Sequence, residues 1–166
     1  ARKWQQTAGD IGHAFLIRAL ASAGRSDILH RVYSRTEVGS YGGILARGLA
    51  TMPETWDAIM DGVQSLNHCM LGHVVEWYYG YVGGIRQAPE SVGWKSTVIQ
   101  PYPGPLLNAS CTVKTPLGVT KSAWSKSAGK FLLKVEIPKG MAAVAILPSG
   151  SRIELREGRS SHTERS

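Results

Sequence analysis

Lys130-Phe-Leu-Leu-Lys-Val-Glu-Ile137, closed by Pro138-Lys-Gly140, decides how the second half of this chain folds. From Leu133 onward apolar and charged residues alternate, which reads as a strand with one face buried and the other in water. The same pattern extends outward on both sides. From Gln87 the share of Pro, Gly and β-branched residues rises, and strands are expected over 96–100, 108–115, 118–125, 130–137, 141–147 and 151–157. The turns between them are Pro101-Tyr-Pro-Gly-Pro105, Thr115-Pro-Leu-Gly118, Ser127-Ala-Gly129, Pro138-Lys-Gly140 and Pro148-Ser-Gly150. Turns about 8–12 residues apart favour a small antiparallel β-sandwich over 87–158. The remainder, 159–166, is polar and is expected to form a loose tail.

Upstream, over 1–86, the pattern is helical. A segment from Ile11 to Ala23 places Phe15, Leu16, Ala19 and Leu20 on one stripe, which is expected to be buried, with Asp10 as its cap and Gly24 as its stop. A second, from Asp27 to Arg35, is capped by Ser26 and sets Ile28, Leu29 and Val32 on one face. The short connection favours an antiparallel helical hairpin. After Gly39-Ser-Tyr-Gly-Gly43 the pattern weakens, and 44–50 reads as a short helix or an extended piece. Ser65 opens the clearest helix, where Leu66, Met70, Leu71, Val74, Val75, Tyr78 and Tyr79 keep helical spacing up to Gly83-Gly84. It is apolar over more than one face, so enclosure on two sides is expected.

The net charge of +7 is uneven: residues 1–86 carry 8 Lys/Arg against 7 Asp/Glu, and residues 87–166 carry 11 against 5. Lys114, Lys121, Lys126, Lys130, Lys134 and Lys139, all in the second half, come singly along the expected strands. They read as a solvated sheet face with charges guarding edges, not as a nucleic-acid stripe with interleaved aromatics. Cys69 and Cys111 form no disulfide framework and no zinc spacing, and both are expected to be buried thiols. No run of 18 apolar residues occurs, so no membrane-spanning helix is expected. The N-terminus lacks both Met and the apolar core of a signal peptide, which reads as a start partway along a longer chain.

Chemistry concentrates in Thr51-Met-Pro-Glu-Thr-Trp-Asp57 and Ser65-Leu-Asn-His-Cys-Met-Leu-Gly72. Glu54, Trp56 and His68 supply a carboxylate, a ring and an imidazole, the groups from which sugar-cleaving sites are built. Read blandly, Glu54 complements a helix start after Pro53, His68 caps backbone in the first turn of the Ser65 helix, and the aromatic residues are core. Glycosidases use two carboxylates, set about 6.5–9.5 Å apart in an inverting site. Asp57 and Asp61 are the sequence neighbours available to pair with Glu54, and the spacing of Asp57 does not fix such a separation. His13, His30 and His73 have no acidic or Cys companions at metal-binding spacing. No phosphate loop and no Gly-x-Ser-x-Gly elbow occurs, and no metal or cofactor is expected.

These segments resemble glycoside hydrolase family 78, the α-L-rhamnosidases. Thr7-Ala-Gly-Asp-Ile-Gly-His13, Phe15-Leu-Ile-Arg-Ala-Leu20, Gly24-Arg-Ser-Asp27, Ala50-Thr-Met-Pro-Glu-Thr-Trp-Asp57 and Ser65-Leu-Asn-His68 resemble the end of that family's catalytic barrel. Gly83-Gly-Ile85, Ile99-Gln-Pro101, Thr115-Pro-Leu-Gly118, Val135-Glu-Ile-Pro138 and Leu147-Pro-Ser-Gly150 resemble its closing β-domain. The resemblance implies an α+β chain of two parts, the last helices of an (α/α)6 barrel followed by a small antiparallel β-sandwich domain. It also implies hydrolysis of terminal α-L-rhamnose with inversion. Glu54 matches the family's general base, and His68 the imidazole that holds rhamnose. Trp56 and Asp57 match neighbours that shape or brace the pocket, and Tyr41 lies in the preceding loop where a ring approaches the sugar.

This chain departs from the family in two respects. The general acid and several sugar contacts belong to barrel helices that would precede residue 1, so the implied partners are an L-rhamnose-containing glycoside and those N-terminal helices or a partner chain. Pro53 stands where the family has a bulky residue before the base, and the loop between Asp57 and Ser65 is short. The competing readings are a non-catalytic carbohydrate-binding or structural module and a relative acting on a different sugar. No nucleic-acid or membrane partner is expected.

Overall fold

The computed structural model describes Trp4 and residues 6–58 and 63–165. The chain divides into two compact units, Ala1–Trp77 and Tyr78–Ser166. In the first unit α1 (Asp10–Ser22) and α2 (Ser26–Tyr33) pack together as the expected hairpin, and α3 (Tyr41–Ala46) follows. Asp10 and Ser26 are not caps. Each is the first residue of its helix, behind Gly9 and Arg25.

The buried stripe of α1 is also not the expected one. His13, Ala14, Ile17 and Ala21 face inward, while Phe15 is 65% exposed. This helix is apolar nearly all round, so its period identifies a helix without saying which face another element covers. Small residues at 14 and 21 let neighbours approach closely, and the inner stripe follows them.

The helix expected from Ser65 begins only at Met70. It runs as a 3-10 turn (Met70–His73), α4 (Val74–Trp77) and a π-turn (Tyr78–Val82). Ser65–Cys69 is drawn away because its backbone bonds elsewhere: His68 N donates to Met52 O at 2.7 Å, and Glu54 N donates to Ser65 O at 2.9 Å. Both thiols are free; the expected burial does not hold, since Cys69 is exposed and Cys111 only half-buried. Burial pushes the Cys111 thiol up.

The second unit holds two four-stranded sheets, β1-β2-β6-β7 and β3-β4-β5-β8. The strands are β1 (Ile85–Gln87), β2 (Ser96–Ile99), β3 (Asn108–Thr115), β4 (Gly118–Ser127), β5 (Lys130–Ile137), β6 (Ala142–Ile146), β7 (Arg152–Leu155) and β8 (Gly158–Arg165). All pairs are antiparallel except β2 with β6, which run parallel because the whole β3-β4-β5 meander forms their crossover. The expected loose tail is instead β8, paired with β5 from Gly158 to Arg165. Its sequence carries no strand signal because an edge strand with little buried surface has few apolar residues; the backbone ladder holds it. Strand β1 and the π-turn, placed with the helices in the sequence, belong to this unit.

Ile85, Ile99, Ala143 and Ala145 of one sheet meet Trp124, Phe131, Leu133, Val135 and Ile137 of the other in a single core. Trp124 stacks on Phe131 at 5.9 Å between centroids, and its indole N–H donates to Val82 O at 2.7 Å. Gly84 turns the chain into β1 with φ +80, and a Cβ there would lie 2.4 Å from Pro101 N. Phe131→Ala is expected to cost about 3–5 kcal/mol by urea denaturation. Leu132→Ala, one residue on and facing outward, is expected to cost far less. Equal losses would mean that β5 does not present its odd-numbered residues to the core.

Candidate active site

Glu54 is positioned by a clamp between 51–55 and 64–68. The two backbone bonds at Met52 and Glu54 flank Pro53, which is almost fully buried and has no N–H to satisfy. Thr51 Oγ1 donates to Leu66 O, and Thr55 Oγ1 donates to Gln64 Oε1 at 2.8 Å. Proline thus fits at the residue of this segment that faces no acceptor. The clamp leaves the Glu54 side chain exposed.

Glu54 lines a cleft of about 470 Å³ with Gln6, Asp10, Thr55, Trp56 and Asp57. His68 stands beside it, its Nε2 3.7 Å from Oδ2 of Asp10, which also accepts through Oδ1 from Ile11 N at 2.8 Å. Four of the sequence candidates therefore converge: Glu54, Trp56 and Asp57 on the cleft wall, and His68 through Asp10. Asp61 lies outside the described residues.

Tyr41 goes elsewhere. It opens α3 behind Ser40, whose hydroxyl accepts from Gly43 N at 3.0 Å. A Cβ on Gly42 or Gly43 would lie 2.0 Å from Arg35 O or 2.1 Å from Glu37 O, so only glycines let the preceding loop close onto α3. The Tyr41 ring is buried, its hydroxyl donates to Leu71 O, and it stands edge-on to Trp56 at 5.3 Å.

Trp56 is itself only 8% exposed and is held at several points. Its indole N–H donates to Ala8 O at 2.9 Å, and its carbonyl accepts from Arg47 Nη2 at 2.6 Å. So little exposed, it offers a ligand no open stacking face. Each edge-to-face aromatic pair adds about 0.5–1.5 kcal/mol beyond burial. Trp56 makes such contacts with Tyr41 and with His13, the latter at 5.2 Å.

Three residues near the cleft were not singled out in the sequence. Asp10 reads in the sequence as a helix cap. Gln6 is 7% exposed, and its amide has no hydrogen-bond partner at either atom among the described residues. His13 is fully buried behind Trp56, with Nε2 2.8 Å from the Tyr33 hydroxyl. Asp10 and His13 lie within Thr7-Ala-Gly-Asp-Ile-Gly-His13, one of the segments that resemble the rhamnosidases, and Gln6 directly precedes it. Among the described residues no group of three His, Cys, Asp or Glu side chains could hold a metal ion.

A family model described as the bacterial alpha-L-rhamnosidase 6 hairpin glycosidase domain matches residues 1–82, and one for the bacterial alpha-L-rhamnosidase C-terminal domain matches residues 84–162. The chain belongs to the bacterial α-L-rhamnosidase family. An α-L-rhamnosidase of Streptomyces avermitilis is 31% identical over 157 residues, covering 90% of this chain but 15% of that relative. The solved structure of native α-L-rhamnosidase from Aspergillus terreus matches with TM-score 0.84 and 29% identity, over 92% of this chain and 19% of its own. That of Streptomyces avermitilis α-L-rhamnosidase complexed with L-rhamnose matches with TM-score 0.89 and 26% identity, over 99% and 18%. This rhamnosidase-family chain thus spans less than a fifth of the length of these relatives, and it corresponds to their C-terminal part. Its α+β architecture is theirs, the end of the six-hairpin domain followed by the C-terminal β-domain.

Burial lowers the His13 pKa from 6.5 to about 4, with repulsion from His73 adding to it. The unfolded chain therefore takes up a proton that the folded chain refuses, and stability should decline as pH falls from 6.5 toward 4. Urea denaturation across that window is expected to show the decline, and His13→Asn to flatten it. An NMR titration giving His13 an ordinary imidazole midpoint would contradict the arrangement.

Proposed function

We propose that this chain carries the general base of an inverting α-L-rhamnosidase site, Glu54, together with the side of the pocket that holds the sugar. Glu54 takes a proton from a water molecule, whose oxygen attacks the anomeric carbon of terminal α-L-rhamnose. The glycosidic oxygen departs on the opposite face, protonated by an acid carried elsewhere in the longer protein. The observation that carries this reading is the clamp, which fixes the backbone of Glu54 and ties it to that of His68 while leaving the carboxylate open to the cleft.

In this reading His68 donates to a rhamnose hydroxyl, oriented by Asp10. Asp57 shapes the cleft wall, Trp56 braces it, and Tyr41 supports Trp56 from behind. An unpaired buried amide costs about 1–3 kcal/mol, which a sugar hydroxyl reaching Gln6 would recover. Ile11 and Phe15, each 65% exposed on α1, are the apolar surface that upstream barrel helices or a partner chain would cover.

The 166-residue chain alone is expected not to turn over an aryl α-L-rhamnoside. Turnover that disappears in Glu54→Gln would place a complete acid–base pair within these residues and overturn the division of the site. In the longer protein, Glu54→Gln should lower kcat by about 10²–10⁴-fold with KM little changed. A change confined to modest binding loss would instead indicate a non-catalytic carbohydrate-binding module.

A further inference from the structure

The sheet β3-β4-β5-β8 has two faces of opposite character. Side chains alternate along each strand, and the register aligns them across the sheet. Thr112, Lys121, Glu136 and Arg159 form one outward row, and Ser110, Ala123, Lys134 and Ser161 the next. Followed along the strands, the outward face collects Lys114, Lys121, Lys130, Lys134, Arg159 and Arg165, against the single carboxylate of Glu136 among the described residues. Lysines that come singly in the sequence are thus gathered on one surface. Lys121, Lys130 and Lys134 lie on the two central strands and guard no edge, while Lys114 lies on edge strand β3.

Glu136 is already engaged, 3.1 Å from Lys121 and 3.3 Å from Arg159. A depression of about 500 Å³ lies over Ala123, bounded by Lys121, Lys134, Glu136, Arg159 and Ser161. Its floor is low because Ala123 and Ser161 are small beside the long cationic arms on either side. Its size suits one or two sugar rings. Between the cations the face carries hydroxyls, from Ser110, Thr112, Ser125, Ser161 and Thr163. Among the described residues its strands present no aromatic side chain outward; the exposed Tyr78 and Tyr79 adjoin Ser110 and Thr112 at the β3 border, so stacking is confined to that rim.

We infer that this face docks an acidic polysaccharide, a polymer bearing carboxylates on its sugar rings, centred on Lys134 and the Lys121–Arg159 pair. Carboxylates meet the lysines, and ring hydroxyls meet the Ser and Thr side chains. The surface lies wholly within the β-unit and shares no residue with the cleft, so it stands or falls independently of the role of Glu54.

The test is affinity electrophoresis of the intact chain through gels containing polygalacturonate, neutral dextran or duplex DNA, at low and high ionic strength. Retardation by polygalacturonate alone, relieved by salt, is expected. Lys121→Gln with Lys134→Gln should weaken it about tenfold. Lys95→Gln with Arg152→Gln removes the same charge from beside and on the other sheet and should change it little. Glu136→Gln should bind more tightly, a gain that a misfolded variant would not show. Absence of retardation, equal losses in the two double variants, or equal binding of DNA would each overturn the proposal.

Discussion

Two backbone hydrogen bonds, His68 to Met52 and Glu54 to Ser65, hold the helical unit's candidate site together. Each exchanges a bond to water for one within the protein and so contributes only about 1 kcal/mol. Their importance is geometric. They join 51–55 to 64–68 and set Glu54 and His68 on neighbouring stretches of backbone. They also explain why the apolar helix starts at Met70: residues 65–69 cannot make helical bonds while pairing with 51–55. Pro53, just before Glu54, is compatible with this pairing because the residue between the two bonded positions needs no donor.

Behind the clamp stands a buried aromatic group of His13, Tyr33, Tyr41 and Trp56. Its polar atoms are mostly used inward, Trp56 on Ala8 and Tyr41 on Leu71, so these rings stiffen the cleft wall, whose polar side chains are Gln6, Asp10, Glu54 and Asp57 with His68 beside them. The neutral His13 fits the same logic. An imidazole enclosed by rings cannot be charged cheaply, and it serves here as a hydrogen-bonding ring against Tyr33.

The β-unit rests on a different principle. Its core is assembled from strands whose inward residues, above all Trp124, Phe131, Leu133 and Val135, come from a period-2 pattern. That leaves the outward residues free to vary, and in β3-β4-β5-β8 they have become cationic. One alternation therefore produces both the dry interior and the charged exterior of the same sheet.

The sequence by itself determined the switch from helices to strands near Gln87, strands β3 and β5 end to end, the α1–α2 hairpin, and the grouping of Glu54, Trp56, Asp57 and His68. Each rests on a local signal: a period, a turn residue, or a motif shared with the rhamnosidases. Tertiary structure alone decided which stripe of α1 is buried, that Ser65–Cys69 is not helical, that Tyr41 turns inward, that 158–165 pairs as β8, and that scattered lysines share a face. The physical reason is common to all five. They depend on which partner a segment meets, and neither backbone pairing across a loop nor register across a sheet leaves a trace in the spacing of neighbouring residues.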